Sequence, residues 1–201
     1  MMKTPRSGVI LALTVLCALT ARGASLETTL KRGERLFSEK KYEQALELFL
    51  KAADENPGTP QGADALLMAG VQYDWLAGIK QDSALIEKEK EVLLRLIRQY
   101  PQGPRIDDAY LYLGQTYSGA VRVPVKVDCP KAIGLYEKAI AAATDRAWIK
   151  AQAKGRIGQC LRLQGREDEA RAAFKEVEEK YPGTPWAKEA QKLLASNPKN
   201  E

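Results

Sequence analysis

The chain has 201 residues, with 31 Lys and Arg against 26 Asp and Glu, no histidine and a formal net charge of +5. The missing histidine removes the commonest general base and the commonest zinc ligand, and the cysteines at 17, 129 and 160 make no motif of metal-site spacing. No Lys/Arg block is interleaved with stacking aromatics, so nucleic-acid binding has no electrostatic footprint.

Residues 1–23 read as a secretory signal. Lys3 and Arg6 precede an apolar run from Val9 to Leu19, and Ala21-Arg22-Gly23 puts small residues at the two positions a signal peptidase reads. Cys17 lies inside that run after Val15 and Leu16, whereas a lipidated cysteine follows a small residue, so cleavage near Gly23 is expected rather than anchoring. Membrane association then requires an uncleaved signal or a lipidated Cys17. Cleavage removes Lys3, Arg6 and Arg22, leaving 28 basic against 26 acidic residues, so the basic character belongs partly to the signal. No later segment approaches the roughly 18 apolar residues of a membrane span. The remaining residues, 24–201, suffice for one domain outside the cytoplasm, with the periplasm as the expected compartment.

The domain opens with a pattern of 34 residues over 26–59: Gly33, Tyr42, Ala45, Phe49, Ala52 and Pro57. Gly33 admits a second helix at close range, with Ala45 as the small residue expected to fill the gap. Tyr42, Ala45, Phe49 and Ala52 recur three or four apart, as one apolar face of a helix that Asn56-Pro57 ends. A single helix pair cannot bury such a face, but stacked pairs can. The pattern returns ungapped at 151–184, with Ile157, Gly158, Gly165, Ala170, Phe174 and Pro182. It is stretched at 63–103, around Gly70, Tyr73, Leu93, Leu96 and Pro101, and at 107–146, around Leu113, Gly114, Tyr117, Ala132, Tyr136 and Ala139.

Four copies resemble tetratricopeptide repeats. The resemblance implies an all-α, right-handed solenoid of four helix-turn-helix repeats with a capping helix at 185–195. The junctions Pro57-Gly58-Thr59-Pro60, Pro101-Gln102-Gly103-Pro104 and Pro182-Gly183-Thr184-Pro185 stop one helix and start the next, with Thr59 and Thr184 as N-caps. Their Tyr-Pro-x-x-Pro form at Tyr100 and Tyr181 is similar to repeats of bacterial envelope proteins such as the Tol-Pal accessory protein and the lipoproteins of outer-membrane barrel assembly. The leading face of repeat 1 reads Thr28, Arg32 and Arg35, where repeat 4 has Ala153, Ile157 and Cys160, so a solenoid complete at four repeats is expected. At the far end, Trp186, Ala190, Leu193 and Leu194 form the stripe of a cap.

Two stretches depart from the pattern. A lengthened helix from Asp82 carries Glu87, Lys88, Glu89, Lys90 and Glu91, which read as its solvated face. The segment 121–127 alternates apolar and polar residues, so it is expected to be extended. Its valines, Val121, Val123 and Val125, either pack over the solenoid edge or offer a strand to a partner, and Pro124 removes one donor from any such ladder.

In tetratricopeptide repeats the first helix of each pair lines a concave groove. The matching positions are Glu27, Leu30, Glu34 and Phe37; Asp64, Leu67, Val71 and Asp74; Asp108, Leu111, Gln115 and Ser118; and Gln152, Gly155, Gln159 and Arg162. Leu30, Glu34, Phe37, Leu67, Val71, Asp74, Leu111 and Gln115 are the candidate partner contacts, although Leu30, Phe37 and Leu67 could equally be core shared between repeats. The groove suits an amphipathic helix or an extended segment with basic flanks and lacks the lysine and asparagine set that clamps a peptide carboxylate. Cys129 and Cys160 lie about equally far from the turn near Thr144, so their helix ends should be neighbours, and either a disulfide or two core thiols fits.

The function these features support is a non-enzymatic adaptor for another envelope protein or peptide segment, with no cofactor, metal or small-molecule substrate evident. Self-association through the terminal helix is a second possibility, and an envelope enzyme or its regulatory subunit a third. Asp107 and Asp108 resemble a carboxylate pair, but adjacent helical residues diverge by about 100 degrees, which favours Asp107 as a helix N-terminal acid.

Overall fold

The computed structural model describes residues 26–196, so the signal segment and Cys17 lie outside the described residues. Helix α1 spans 26–38, followed by α2 (Tyr42–Glu55), α3 (Pro60–Lys80), α4 (Ala84–Gln99), α5 (Ile106–Ser118), α6 (Cys129–Ala142), α7 (Ala147–Leu163), α8 (Glu167–Lys180) and α9 (Pro185–Ala195). There is no strand among the described residues. Each helix from α2 onward packs on its sequence neighbours, α5 also on α7 and α7 on α9. That pattern is a stack of pairs, α1/α2 through α7/α8, closed by α9.

The repeat glycines show what holds each pair together. A Cβ on Gly33 would meet the Phe49 ring at 2.6 Å, on Gly114 the Tyr136 ring at 2.6 Å, and on Gly158 the Phe174 ring at 2.5 Å. The gap beside Gly33 is therefore filled by an aromatic ring of the second helix, with buried Ala45 beside it. In the second pair Leu93 takes the ring's place over Gly70. A side chain at Gly33, Gly114 or Gly158 must displace the covering ring, whereas at Gly70 Leu93 need give only slightly.

The junctions follow the local chemistry of their residues. Thr59 and Thr184 accept from the N–H groups of Gly62 and Ala187, and Pro60 and Pro185 stand first in their helices, where no backbone donor is needed. The Tyr100 hydroxyl accepts from Gly58 N–H at 3.0 Å, so the tyrosine that ends the second repeat ties down the junction before it. Asp82 caps α4 through Ala84 N–H at 2.9 Å, two residues ahead of the first helical position.

Helix α3 is the centre of the N-terminal half. Ala63, Ala65, Leu66, Leu67, Ala69, Gly70, Leu76 and Ala77 are all buried, so it is covered on several faces rather than along one stripe. Leu67 and Leu111, expected in the groove, are 4% and 1% exposed and belong to the cores between repeats.

The loop between α5 and α6 bends at 121–123 and is irregular through 128, rather than extended as expected, with Val121, Val123 and Val125 packed with Ala77 and Ile86. Val123 is buried with Ala77 of α3 and Ile86 of α4, so of the two alternatives for this residue packing over the solenoid edge holds and a partner contact does not. Trp186 of α9 lies over Gly155, where a Cβ would meet its ring at 2.2 Å, and Leu193 and Leu194 pack on the same core. The terminal stripe thus covers the last repeat of its own chain.

Candidate functional site

Although α5 closes on α7 and α7 on α9, α3 and α5 do not close on each other in the same way. A cavity of about 390 Å³ lies there, lined by Val71, Asp74 and Trp75 of α3, Glu89 of α4, Tyr112 and Gln115 of α5, Ala120 to Arg122 of the loop, and Gln152 of α7. Three of the eight groove candidates, Val71, Asp74 and Gln115, line it. Phe37 stands behind it, edge-on to Trp75 at 5.7 Å and to Tyr42 at 5.5 Å, while Tyr42 stacks on Trp75 at 5.9 Å. Leu30 is half-buried and Glu34 exposed on α1, and neither lines this cavity.

Arg122 closes one side of the site. Its backbone N–H donates to Asp74 Oδ1 at 3.0 Å, its Nε lies 3.1 Å from Asp74 Oδ2, and its guanidinium sits 3.4 Å above the Trp75 ring. The aliphatic stem covers Gly78, where a Cβ would come within 2.7 Å of it. The loop is therefore fixed by charge and stacking on one side and by its valines on the other.

Glu89 corrects the expected solvated face of α4, since it is 1% exposed and its Oε2 has no hydrogen-bond partner. The reason lies in the helix period: Ile86, Glu89, Leu93 and Leu96 are spaced three, four and three apart, so the glutamate occupies the apolar stripe. Burial, and then the charge of Asp74, push its carboxyl well above the usual glutamate range. Lys90 opposes that shift but points elsewhere, 2.7 Å from Glu87 and over the Tyr117 ring. Burial, followed by the charges of Asp108, Glu89 and Asp74, also raises the Tyr112 phenol, so it stays protonated as a potential donor.

A second cavity of about 310 Å³ adjoins the first at Ala120 and is lined by Ser118, Arg156, Gln159, Cys160 and Arg162. Arg162 is held by Glu167 at 2.9 and 3.0 Å and by the Leu193 carbonyl at 2.9 Å. The groove thus carries carboxyls at its N-terminal end and guanidinium groups at its C-terminal end.

Asp107 and Asp108 are both buried and both accept from Arg146, over distances of 2.7 to 3.1 Å. The divergence of adjacent side chains is overcome because the arginine fork, at the start of α7, reaches both carboxylates. This is an ionic clasp between the third and fourth repeats, which the single-helix geometry did not reveal. Arg105 adds a contact to Asp108 at 3.6 Å and pairs with Asp64 of α3.

Cys129 and Cys160 are buried free thiols in contact with each other, and burial with that contact pushes the Cys160 thiol up to about 12. Native protein in reductant should therefore resist alkylation at pH 8 while unfolded protein reacts at both positions. Oxidised protein, if the pair closes, should be lighter by two hydrogens by intact mass and more stable by about 3 to 4 kcal/mol.

No group of metal-ligating side chains, and no helix long and apolar enough to cross a membrane, occurs among the described residues. Residues 128–185 match the tetratricopeptide repeat family. The match spans α6 to α8, where the repeat runs without insertion. No curated protein matches the chain. Among solved structures the chain is similar to MamA, at 25% identity over 81% of this chain and 82% of that one, with a TM-score of 0.57. A second MamA structure gives 25% identity, 81% and 76% coverage and a TM-score of 0.56. Nearly identical TPR-like repeats of a Podosopora anserina protein described as a kinesin light chain, in a variant form, give 15% identity over 85% and 84% and a TM-score of 0.62. That last likeness shows the fold alone, which is the all-α tetratricopeptide-repeat fold.

Proposed function

We propose that this protein is a non-catalytic adaptor of the cell envelope that holds a segment of another protein in the groove between α3 and α5. Repeats of this kind indicate a protein-interaction scaffold. The observation that carries the location is the cavity itself, where Asp74, Trp75, Glu89 and Gln115 converge from three helices at a place where neighbouring first helices do not close. A pocket of this size with aromatic walls and a few convergent polar groups is what a binding site requires. The periplasmic placement rests on the signal-like residues 1–23 and on the Tyr-Pro-x-x-Pro junctions.

Crosslinked affinity capture from an envelope extract tests this reading. Substitution of Leu67 or Leu111 is unsuitable, because both are core residues and a charge there would unfold the stack. Val71→Arg with Gln115→Arg instead fills the cavity from half-buried positions. A protein captured by the wild type and lost with this variant, while circular dichroism is unchanged, supports the adaptor reading. Capture that ignores the variant contradicts the groove. Self-association has less support, since the Trp186 stripe is already covered within the chain; light scattering that gave a dimer mass would revive it.

A further inference from the structure

The cavity contains an imbalance that its own residues do not resolve. Among the described residues that line it, two carboxyl groups, Asp74 and Glu89, face one cation, Arg122. Arg122 is committed to Asp74 and to the Trp75 face. Glu89 lines this space of about 390 Å³ at 1% residue exposure, and its Oε2, buried in the wall, has no partner. A buried polar atom without a partner is uncommon, and one that lines a cavity large enough for a ligand points to what would pair with it. The neighbouring groups restrict the choice. Gln115 and Gln152 can accept through their amide oxygens, and the Tyr112 ring supplies an aromatic wall for a flat cation, since Arg122 and Tyr42 already cover Trp75.

We infer that the cavity is a socket for a cationic side chain, a guanidinium or alkylammonium borne on the bound protein segment, which seats against Glu89 beside the Arg122–Asp74 pair. This deepens the groove reading and rests on it for the source of the cation. Seating the cation draws the carboxyl proton off Glu89, so binding releases a proton and strengthens as pH rises toward the value at which free Glu89 ionises. The groups around Glu89 that share in this balance are Asp74 of α3, Tyr112 of α5, Arg122 of the loop and Lys90 of its own helix.

The test is an NMR titration of the full chain, labelled with ¹³C and ¹⁵N, with three probes: acetyl-Ala-Arg-Ala-amide, its neutral citrulline counterpart, and free agmatine. The arginine peptide is expected to shift the Trp75 indole N–H and to move the Glu89 side-chain carboxyl carbon toward its ionised position. The citrulline peptide should bind at least tenfold more weakly, and Glu89→Gln should weaken the arginine peptide at least tenfold. Equal binding of the two peptides, an unmoved Glu89 carbon, or an unaffected Glu89→Gln overturns the socket. Agmatine binding as tightly as the peptide overturns the assignment of the cation to a protein segment. Should Glu89→Gln fail to fold, the wild-type Glu89 carbon decides alone. Groove-dependent capture together with a failed titration removes the socket and leaves the adaptor reading. A successful titration with capture that ignores the groove does the reverse.

Discussion

Two sites in this molecule invite comparison, since each brings two carboxyl groups to one arginine. At the third interface Asp107 and Asp108 share Arg146, with short contacts to all four carboxylate oxygens. At the second, Asp74 and Glu89 share a cavity with Arg122, and only Asp74 is paired. The first site joins α5 to α7 and those helices are in contact, whereas α3 and α5 leave a space. Two carboxyls and one guanidinium thus produce a structural clasp where every acceptor is satisfied and a candidate binding site where one is not.

The largest effect is expected from breaking the clasp. Arg146→Met leaves buried Asp107 without its ion pair and Asp108 with only the longer contact to Arg105, and should cost about 3 to 5 kcal/mol in urea unfolding. A loss below about 1 kcal/mol would show that the clasp is not the structural half of the contrast.

The opposite sign is expected in the cavity. Glu89→Leu replaces an unsatisfied buried carboxyl with an apolar side chain on an apolar stripe and should stabilise by about 1 to 3 kcal/mol while abolishing binding of the arginine peptide. Its pH signature is equally definite. Because burial raises the Glu89 carboxyl in the folded state, the folded chain keeps a proton that the unfolded chain loses as pH passes the ordinary glutamate range. Wild-type stability relative to Glu89→Gln should be constant in acid, fall as pH rises from the unfolded to the folded value, and level off above it. A difference that does not vary with pH would mean that Glu89 is solvated.

Arg122→Ala should have the smallest effect on stability, within about 1 kcal/mol, because its ion pair is partly exposed and Val123 still anchors the loop. It should nevertheless raise affinity for the arginine peptide several-fold, since Asp74 becomes a second free carboxylate. Lower affinity would identify Arg122 as part of what the ligand touches.

The stack itself was legible because the sequence signals for it are local and repeated. Gly33, Gly114 and Gly158 each sit a short way before the aromatic that covers them, and Thr59 and Thr184 announce their helices within a few residues. Val71, Asp74 and Gln115 were legible in the same way, as fixed positions within a repeat. Leu67, read as either groove or shared core, is core, and Leu111, read as groove, is core as well, because a position within one repeat does not say what the next repeat will cover. Glu89 carried a readable signal, its spacing from Ile86 and Leu93, which the charges on either side of it masked. Arg122 had none, since it reaches Asp74 across 48 residues from an irregular loop. The Arg146 clasp was hidden for a similar reason, since its partners lie 38 and 39 residues apart from it in the chain.

Site-specific photocrosslinking tests the central claim most directly. A photoreactive residue placed at Gln115, on the wall of the α3–α5 cavity, is compared in living cells with one at Leu94, which is exposed on α4 outside it. The account predicts a discrete protein adduct from position 115, diminished by Glu89→Gln, and none from position 94. Adducts of equal yield from both positions, or from position 94 alone, would contradict it.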